Sequence, residues 1–267
     1  MSAPMDGSKL TVHGLRKVFD DRGSGEVVAL DGVDFEIAEK EFVTVIGTSG
    51  CGKSTMLSII AGLEEETEGV VLVDGEHVVA PGRDRGVVFQ SYTLFPWLTA
   101  QKNVEFALQG SGRERADVAR EHLDLVGLER FRDAYPSQLS GGMRQRVAIA
   151  RALSYKPEVL LMDEPFGALD AQTRQLMQEL LTKIWEEHRL TVVFVTHDID
   201  EAVFLSDRVL VMTARPGKIK EDLPIKIERP RTFEVFSEPA FFEYKAHLLK
   251  SVREESLRSA EAMEAIA

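Results

Sequence analysis

The run Gly47-Thr48-Ser49-Gly50-Cys51-Gly52-Lys53-Ser54-Thr55 sets glycines among small residues and closes on a lysine followed by two hydroxyls. Glycines so spaced let the backbone wrap an anion with its N–H groups facing inward, and a helix beginning at the lysine adds the positive end of its dipole. A polyphosphate suits such a cradle. Lys53 would supply a point charge to its β- and γ-phosphates, and Ser54 a hydroxyl for Mg²⁺. The pattern G-x-x-x-x-G-K-[ST] requires a strand before it and a helix after it. Residues 42–46 read as the strand and 53–62 as the helix. A glycine turn that merely joins two elements is the plain alternative, and the flanking pair speaks against it.

The loop names a ligand and leaves the reaction open. Residues 159–162 form an apolar strand that delivers Asp163 and Glu164 at its C-terminal end, where open α/β sheets bind ligands. Asp163 suits a metal shell, and Glu164 suits a general base that orients or deprotonates an attacking water. A third group is Ser140-Gly141-Gly142, followed by a helix whose Met143, Val147 and Ala150 share a face. Ser140 is a natural N-cap, and the two glycines leave backbone amides unshielded. One chain thus carries two helix N-termini suited to anions, which invites a γ-phosphate held by a different copy of the protein.

The elements that must position these residues follow from periodicity. Residues 9–42 alternate apolar and polar side chains with a turn expected at Asp31-Gly32, and read as antiparallel strands. Strands are expected at 42–46, 70–73, 86–89, 159–162, 191–195 and 208–212, with a second turn at Asp74-Gly75. Residues 103–155 are rich in charged-faced helix, 113–126 most clearly, and 171–188 read as a further helix. Strands alternating with helices imply an α/β fold with a mainly parallel sheet. After Pro216 the pattern is less regular and ends in a charged helical tail.

Composition narrows the class. The 267 residues are 44% hydrophobic and 28% charged, as expected of a globular protein with a sizeable core. A net charge of -12 disfavours a partner such as nucleic acid, whose phosphates attract clustered Lys and Arg. No apolar stretch approaches the roughly 20 residues that span a bilayer, and residues 1–20 hold no apolar leader segment, so a cytoplasmic location is expected. A single cysteine, Cys51, cannot form an internal disulfide.

Leu139-Ser140-Gly141-Gly142 followed by Gln145-Arg146, upstream of an apolar-Asp163-Glu164-Pro165 strand, resembles the ATPase subunits of ATP-binding-cassette (ABC) transporters over residues 10–217. The resemblance implies an α/β, P-loop (RecA-like) core with a mainly parallel sheet, an N-terminal antiparallel β subdomain and an inserted helical subdomain. It divides the chain, as one ABC ATPase domain, into a nucleotide-binding core at about 9–90 and 156–217, a helical subdomain at about 91–155 and an extension at 218–267. ATP and Mg²⁺ are the implied ligands. Gln90 resembles the glutamine that senses metal and water and faces the membrane partner, and Ala168-Leu169-Asp170 resembles the loop that crosses the dimer interface. His197 resembles the histidine that contacts the γ-phosphate, and Phe19 the aromatic that stacks on adenine.

Two further stretches, Phe95-Pro96-Trp97-Leu98-Thr99 with Asn103-Val104, and Ala214-Arg215-Pro216-Gly217-Lys218-Ile219, resemble the nitrate, sulfonate and taurine importer branch. The partners so implied are a second copy of the chain, separate transmembrane permeases and, indirectly, a solute-binding protein. The implied location is the cytoplasmic side of the inner (plasma) membrane, as a peripheral subunit. A separate-subunit exporter, or an ABC ATPase outside transport, are the alternatives. The latter commonly carry a coiled-coil insertion or two cassettes, and here no heptad array lies between Lys53 and Asp163 and each motif occurs once.

Overall fold

The computed structural model describes residues 8–21 and 25–264. Residues 1–7, part of the stretch read for a leader, and 265–267 of the tail lie outside them. The chain divides into two compact units, one made of Met1–Gly82 with Leu190–Ala267 and the other of Arg83–Arg189.

In the first unit, β1 (Ser8–Asp21) and β2 (Gly25–Ala38) pair antiparallel, with Val12 opposite Phe35 and Val18 opposite Val28. The turn expected at Asp31-Gly32 is instead an irregularity inside β2, where the register shifts between the Leu15–Val33 and Lys17–Leu30 pairs. Gly32 takes φ +71° there, and a bulge exploits that freedom just as a turn would, so the dipeptide signals either. After β3 (Phe42–Ile46) and α1 (Lys53–Ile60), β4 (Glu68–Val73) joins β1 and turns at Asp74-Gly75 into β5 (Glu76–His77). The resulting sheet runs β2-β1-β4-β5.

In the second unit, β6 (Arg85–Val88) leads to α2 (Ala100–Phe106), α3 (Gly112–Leu125) and α4 (Gly141–Leu153). These three helices pack on one another, and α3 begins at a reciprocal cap between Ser111 and Glu114. Then β7 (Val159–Asp163) lies parallel to β6, pairing Val88 with Met162, before α5 (Ala171–His188).

The chain returns to the first unit as β8 (Thr191–Val195), α6 (Ile199–Leu205), β9 (Arg208–Met212), β10 (Ile219–Pro224) and α7 (Pro239–Glu264). Strand β3 lies between β8 and β9, parallel to both, and β10 adds antiparallel to β9. All residues of β3 and β8 are buried, as in parallel sheets covered on both faces. Each buried Val or Ile side chain contributes about 1.5–3 kcal/mol. That burial makes the C-terminal ends of these strands rigid platforms for the loops that follow.

Candidate functional site

The glycine loop leaves the end of β3 and enters α1, in the strand–loop–helix order its pattern requires. Gly52 is the N-cap of α1 at φ +104°, and a Cβ there would stand 2.7 Å from Leu30 Cδ2 and 2.9 Å from Ala29 O. Backbone angle and space both demand glycine. No acidic residue occupies the first turn of α1, so the helix's own side chains leave the positive end of its dipole unopposed. Lys53 is only 6% exposed, and its ammonium donates to Gly47 O at 2.9 Å and Thr48 O at 3.1 Å, bridging the loop's opening. Ser49, Gly50 and Ser54 are exposed, while Thr48 and Thr55 are half-buried.

Cys51 faces inward. It is 1% exposed, a Cβ on Gly47 would come within 2.9 Å of its Sγ, and burial pushes its thiol pKa up, with nearby Lys53 opposing. The thiol is therefore packed behind the loop.

Two other candidate positions lie in this unit. Phe19 on β1 is 38% exposed, and the Lys17 ammonium lies 4.8 Å from its ring centroid, covering one face. His197 is exposed just past β8, at the start of a turn built by its neighbours. Thr196 Oγ1 donates to Glu201 Oε2 at 2.6 Å and accepts from Asp198 N at 3.0 Å, and Asp198 Oδ1 caps α6 by accepting from Asp200 N and Glu201 N.

In the second unit, the parallel pairing of β6 and β7 carries Gln90 and the Asp163-Glu164 pair to neighbouring strand ends. Gln90 Nε2 donates to Glu164 Oε2 at 3.4 Å. Glu164 holds φ +43°, a left-handed conformation that few non-glycine residues adopt. Ser140 caps α4, its Oγ accepting from Met143 N at 3.3 Å, and the first turn again lacks an acidic residue. Gly142 is packed so closely that a Cβ would meet Thr173 Cγ2 at 2.4 Å. Asp170 caps α5, accepting from Thr173 N at 3.0 Å and Thr173 Oγ1 at 2.7 Å, and the Thr173 amide holds its carboxyl below the ordinary range.

Sequence reasoning missed the residues that tie Gln90's loop to α4. Arg151 donates to Thr93 O at 2.8 Å and Thr93 Oγ1 at 2.7 Å, and the Arg144 guanidinium lies 5.2 Å from the Tyr92 ring centroid. No local pattern announces such long-range contacts. Nearby, buried Asn103 donates to Phe95 O, Leu98 O and Thr99 O and accepts from Phe95 N at 2.8 Å. That scaffold presents Trp97, 69% exposed, beside Phe95 and exposed Phe106.

Among the described residues no group of three or more His, Cys, Asp or Glu gathers that would hold a metal ion alone. Each unit by itself offers one donor of the kind that suits a cation sharing phosphate oxygens, as Mg²⁺ does: the exposed Ser54 hydroxyl in the first and the strand-end Asp163 carboxylate in the second.

The family described as ABC transporter matches residues 30–167. An uncharacterised ABC transporter ATP-binding protein of Methanocaldococcus jannaschii is 56% identical over 254 residues, covering 94% of each chain. The nitrate import ATP-binding protein of a Synechocystis strain is 49% identical over 263 residues, covering 95% of this chain and 98% of the relative. Among solved structures, the ATP-binding cassette MJ0796, a dimer in a post-hydrolysis state with ADP and Pi, superposes with a TM-score of 0.72 at 40% identity. That likeness covers 82% of this chain and all of the cassette. Built on an α/β P-loop fold with a mainly parallel sheet, the chain belongs to the ABC transporter family and is an ATP-hydrolysing enzyme.

Proposed function

We propose that the chain is the nucleotide-binding subunit of an ABC importer, coupling Mg-ATP binding, head-to-tail dimerisation and hydrolysis to solute entry through separate permeases. The observation that carries this reading is the near full-length likeness to a nitrate import ATP-binding protein. The solute class is then of the nitrate, sulfonate and taurine type. The subunit sits peripherally on the cytoplasmic side of the inner membrane. The division into a core at 9–90 and 156–217, a helical subdomain at 91–155 and an extension at 218–267 belongs to the same reading.

The loop amides from Gly47 to Thr55 and the Lys53 ammonium bind the polyphosphate, with Phe19 against the adenine. Ser54, Asp163 and Gln90 would hold Mg²⁺, whose contribution when bound is to neutralise charge on the β- and γ-phosphates. Glu164 orients the attacking water and takes its proton, and His197 steadies the γ-phosphate. Ser140, Gly141 and Gly142 serve the nucleotide of the partner copy, and Ala168-Leu169-Asp170 runs along the interface between copies. The rigid aromatic cluster at Trp97 supports a permease contact, because exposed aromatics held by a fixed scaffold are what protein interfaces favour.

Reconstitution with a cognate permease and its binding protein tests the coupling. Phosphate release should rise several-fold when the binding protein carries nitrate, a sulfonate or taurine. Failure of all three to stimulate would overturn the solute class, and stimulation by a solute moving outward would make the protein an exporter.

A further inference from the structure

The turn of residues 213–218 joins β9 to β10, yet its contacts run to the phosphate loop. Thr213 closes it, with Oγ1 donating to Pro216 O at 2.9 Å and accepting from Lys218 N at 3.0 Å. Gly217 pins it to β2, its N–H donating to Ala29 O at 2.9 Å and its carbonyl accepting from Asp31 N at 3.1 Å. A Cβ on Gly217 would lie 2.2 Å from Cys51 O and 2.7 Å from Met212 Cε, so only glycine lets the turn press against the loop. From the other side, Ala214 N donates to Glu255 Oε2 of α7 at 3.0 Å. The turn is thus fixed by β2 and by the C-terminal helix before Arg215 leaves it. Arg215 is exposed, and its Nε and Nη2 both donate to Gly50 O at 3.2 Å.

Two guanidinium N–H groups on one carbonyl fix the peptide between Gly50 and Cys51, at the point where Gly50 turns with φ +76°. The N–H of the same peptide donates to Thr48 O at 3.3 Å, so the peptide is held at both its carbonyl and its amide. We propose that Arg215 is a positioning residue for nucleotide binding: it holds the Gly50–Cys51 peptide so that the loop's amides face a polyphosphate, and Gly217 and Glu255 hold Arg215's turn. The proposal rests on the reading of residues 47–55 as the phosphate-binding loop and adds to it a residue 165 positions away. The rival role for an exposed guanidinium is direct attraction of the nucleotide by its charge.

Calorimetric titration of the full chain with Mg-ADP separates the two, since it needs neither dimerisation nor hydrolysis. Arg215→Ala should weaken binding roughly fivefold to tenfold, the size of a lost hydrogen bond from a charged donor in a partly exposed place. Arg215→Gln and Arg215→Lys, which keep a donor, should recover most of that loss, and the ratios should be the same at low and high salt. The KM for ATP should follow the same order with kcat falling less, and the nucleotide-free Tm of Arg215→Ala should stay within about a degree of wild type. Wild-type affinity in Arg215→Ala overturns the proposal. So does an Arg215→Gln protein as weak as Arg215→Ala with a defect that shrinks in salt, which would assign a direct charge contact. A wild-type chain that fails to bind Mg-ADP would instead undo the reading of the loop itself.

Discussion

Glu164 differs from an ordinary surface carboxylate in two ways: its backbone is left-handed at φ +43°, and Gln90 Nε2 stands 3.4 Å from its Oε2. A non-glycine residue in that conformation costs on the order of 1–3 kcal/mol, and such strain gathers where geometry serves function. At 3.4 Å the hydrogen bond is long enough to be a weak restraint, which suits a group that must also orient a water. Glu164→Gln keeps the shape and removes the base, so ATP binding should persist while phosphate release falls about 10²- to 10⁴-fold. Equilibrium nucleotide binding beside steady-state phosphate release measures both, and turnover at the wild-type rate would remove Glu164 from the role of base. Motif residues were legible because their pattern is local, loop and helix start lying within nine consecutive positions. The Gln90–Glu164 approach was not, because 74 positions separate the two and only the β6–β7 pairing unites them. The inward turn of Cys51 was also hidden, since spacing says nothing of which way a loop side chain packs.

At the scale of elements, the sequence pattern located β3, α5, β8 and β9 at their observed bounds, because buried strands are continuous apolar runs and α5 is capped by Asp170. Strand β10 escaped it. Its residues Ile219-Lys220-Glu221-Asp222-Leu223-Pro224 are half-buried or exposed, as an antiparallel edge allows, and so lack the apolar run that marks an inner strand. The tail beyond it also attaches to the turn of Arg215. Glu255, 1% exposed, accepts from Ala214 N and pairs with Lys220 at 3.0 Å and Arg258 at 2.9 Å. Burial pushes its carboxyl up, but the Ala214 amide and Lys220 outweigh it, and the pKa ends below the usual carboxylate range. A folded-state pKa below the unfolded one means stabilisation that is complete above the unfolded value and is lost as pH falls through the folded one. Glu255→Gln should therefore lower stability by about 2 kcal/mol at neutral pH, and the difference should vanish in acid. Denaturant melts of both proteins across the acidic range measure it, and a difference independent of pH would show that the carboxylate's charge contributes nothing.

On the scale of the whole molecule, the central claim is that two copies share each nucleotide, one giving its phosphate loop and the other its Ser140 segment. The motive is the presence in one chain of two helices that start on glycines, α1 behind Gly52 and α4 at Gly141-Gly142 behind Ser140, whose backbone amides suit an anion. The likeness to a dimeric cassette solved with ADP and Pi supports the association of two copies. Lys53→Ala removes a cation from one group and Ser140→Glu sets a negative charge against the other, so either variant alone should be inactive in every site of its homodimer. In a mixed dimer one site combines both defects, while the other joins an intact loop to an intact Ser140. The most direct measurement is phosphate release and nucleotide trapping from equimolar mixtures, with mixed-dimer formation checked by pull-down of differently tagged copies. Shared sites predict that mixing restores trapping and a measurable fraction of wild-type turnover. Mixed dimers that form yet neither trap nor hydrolyse ATP would contradict the account.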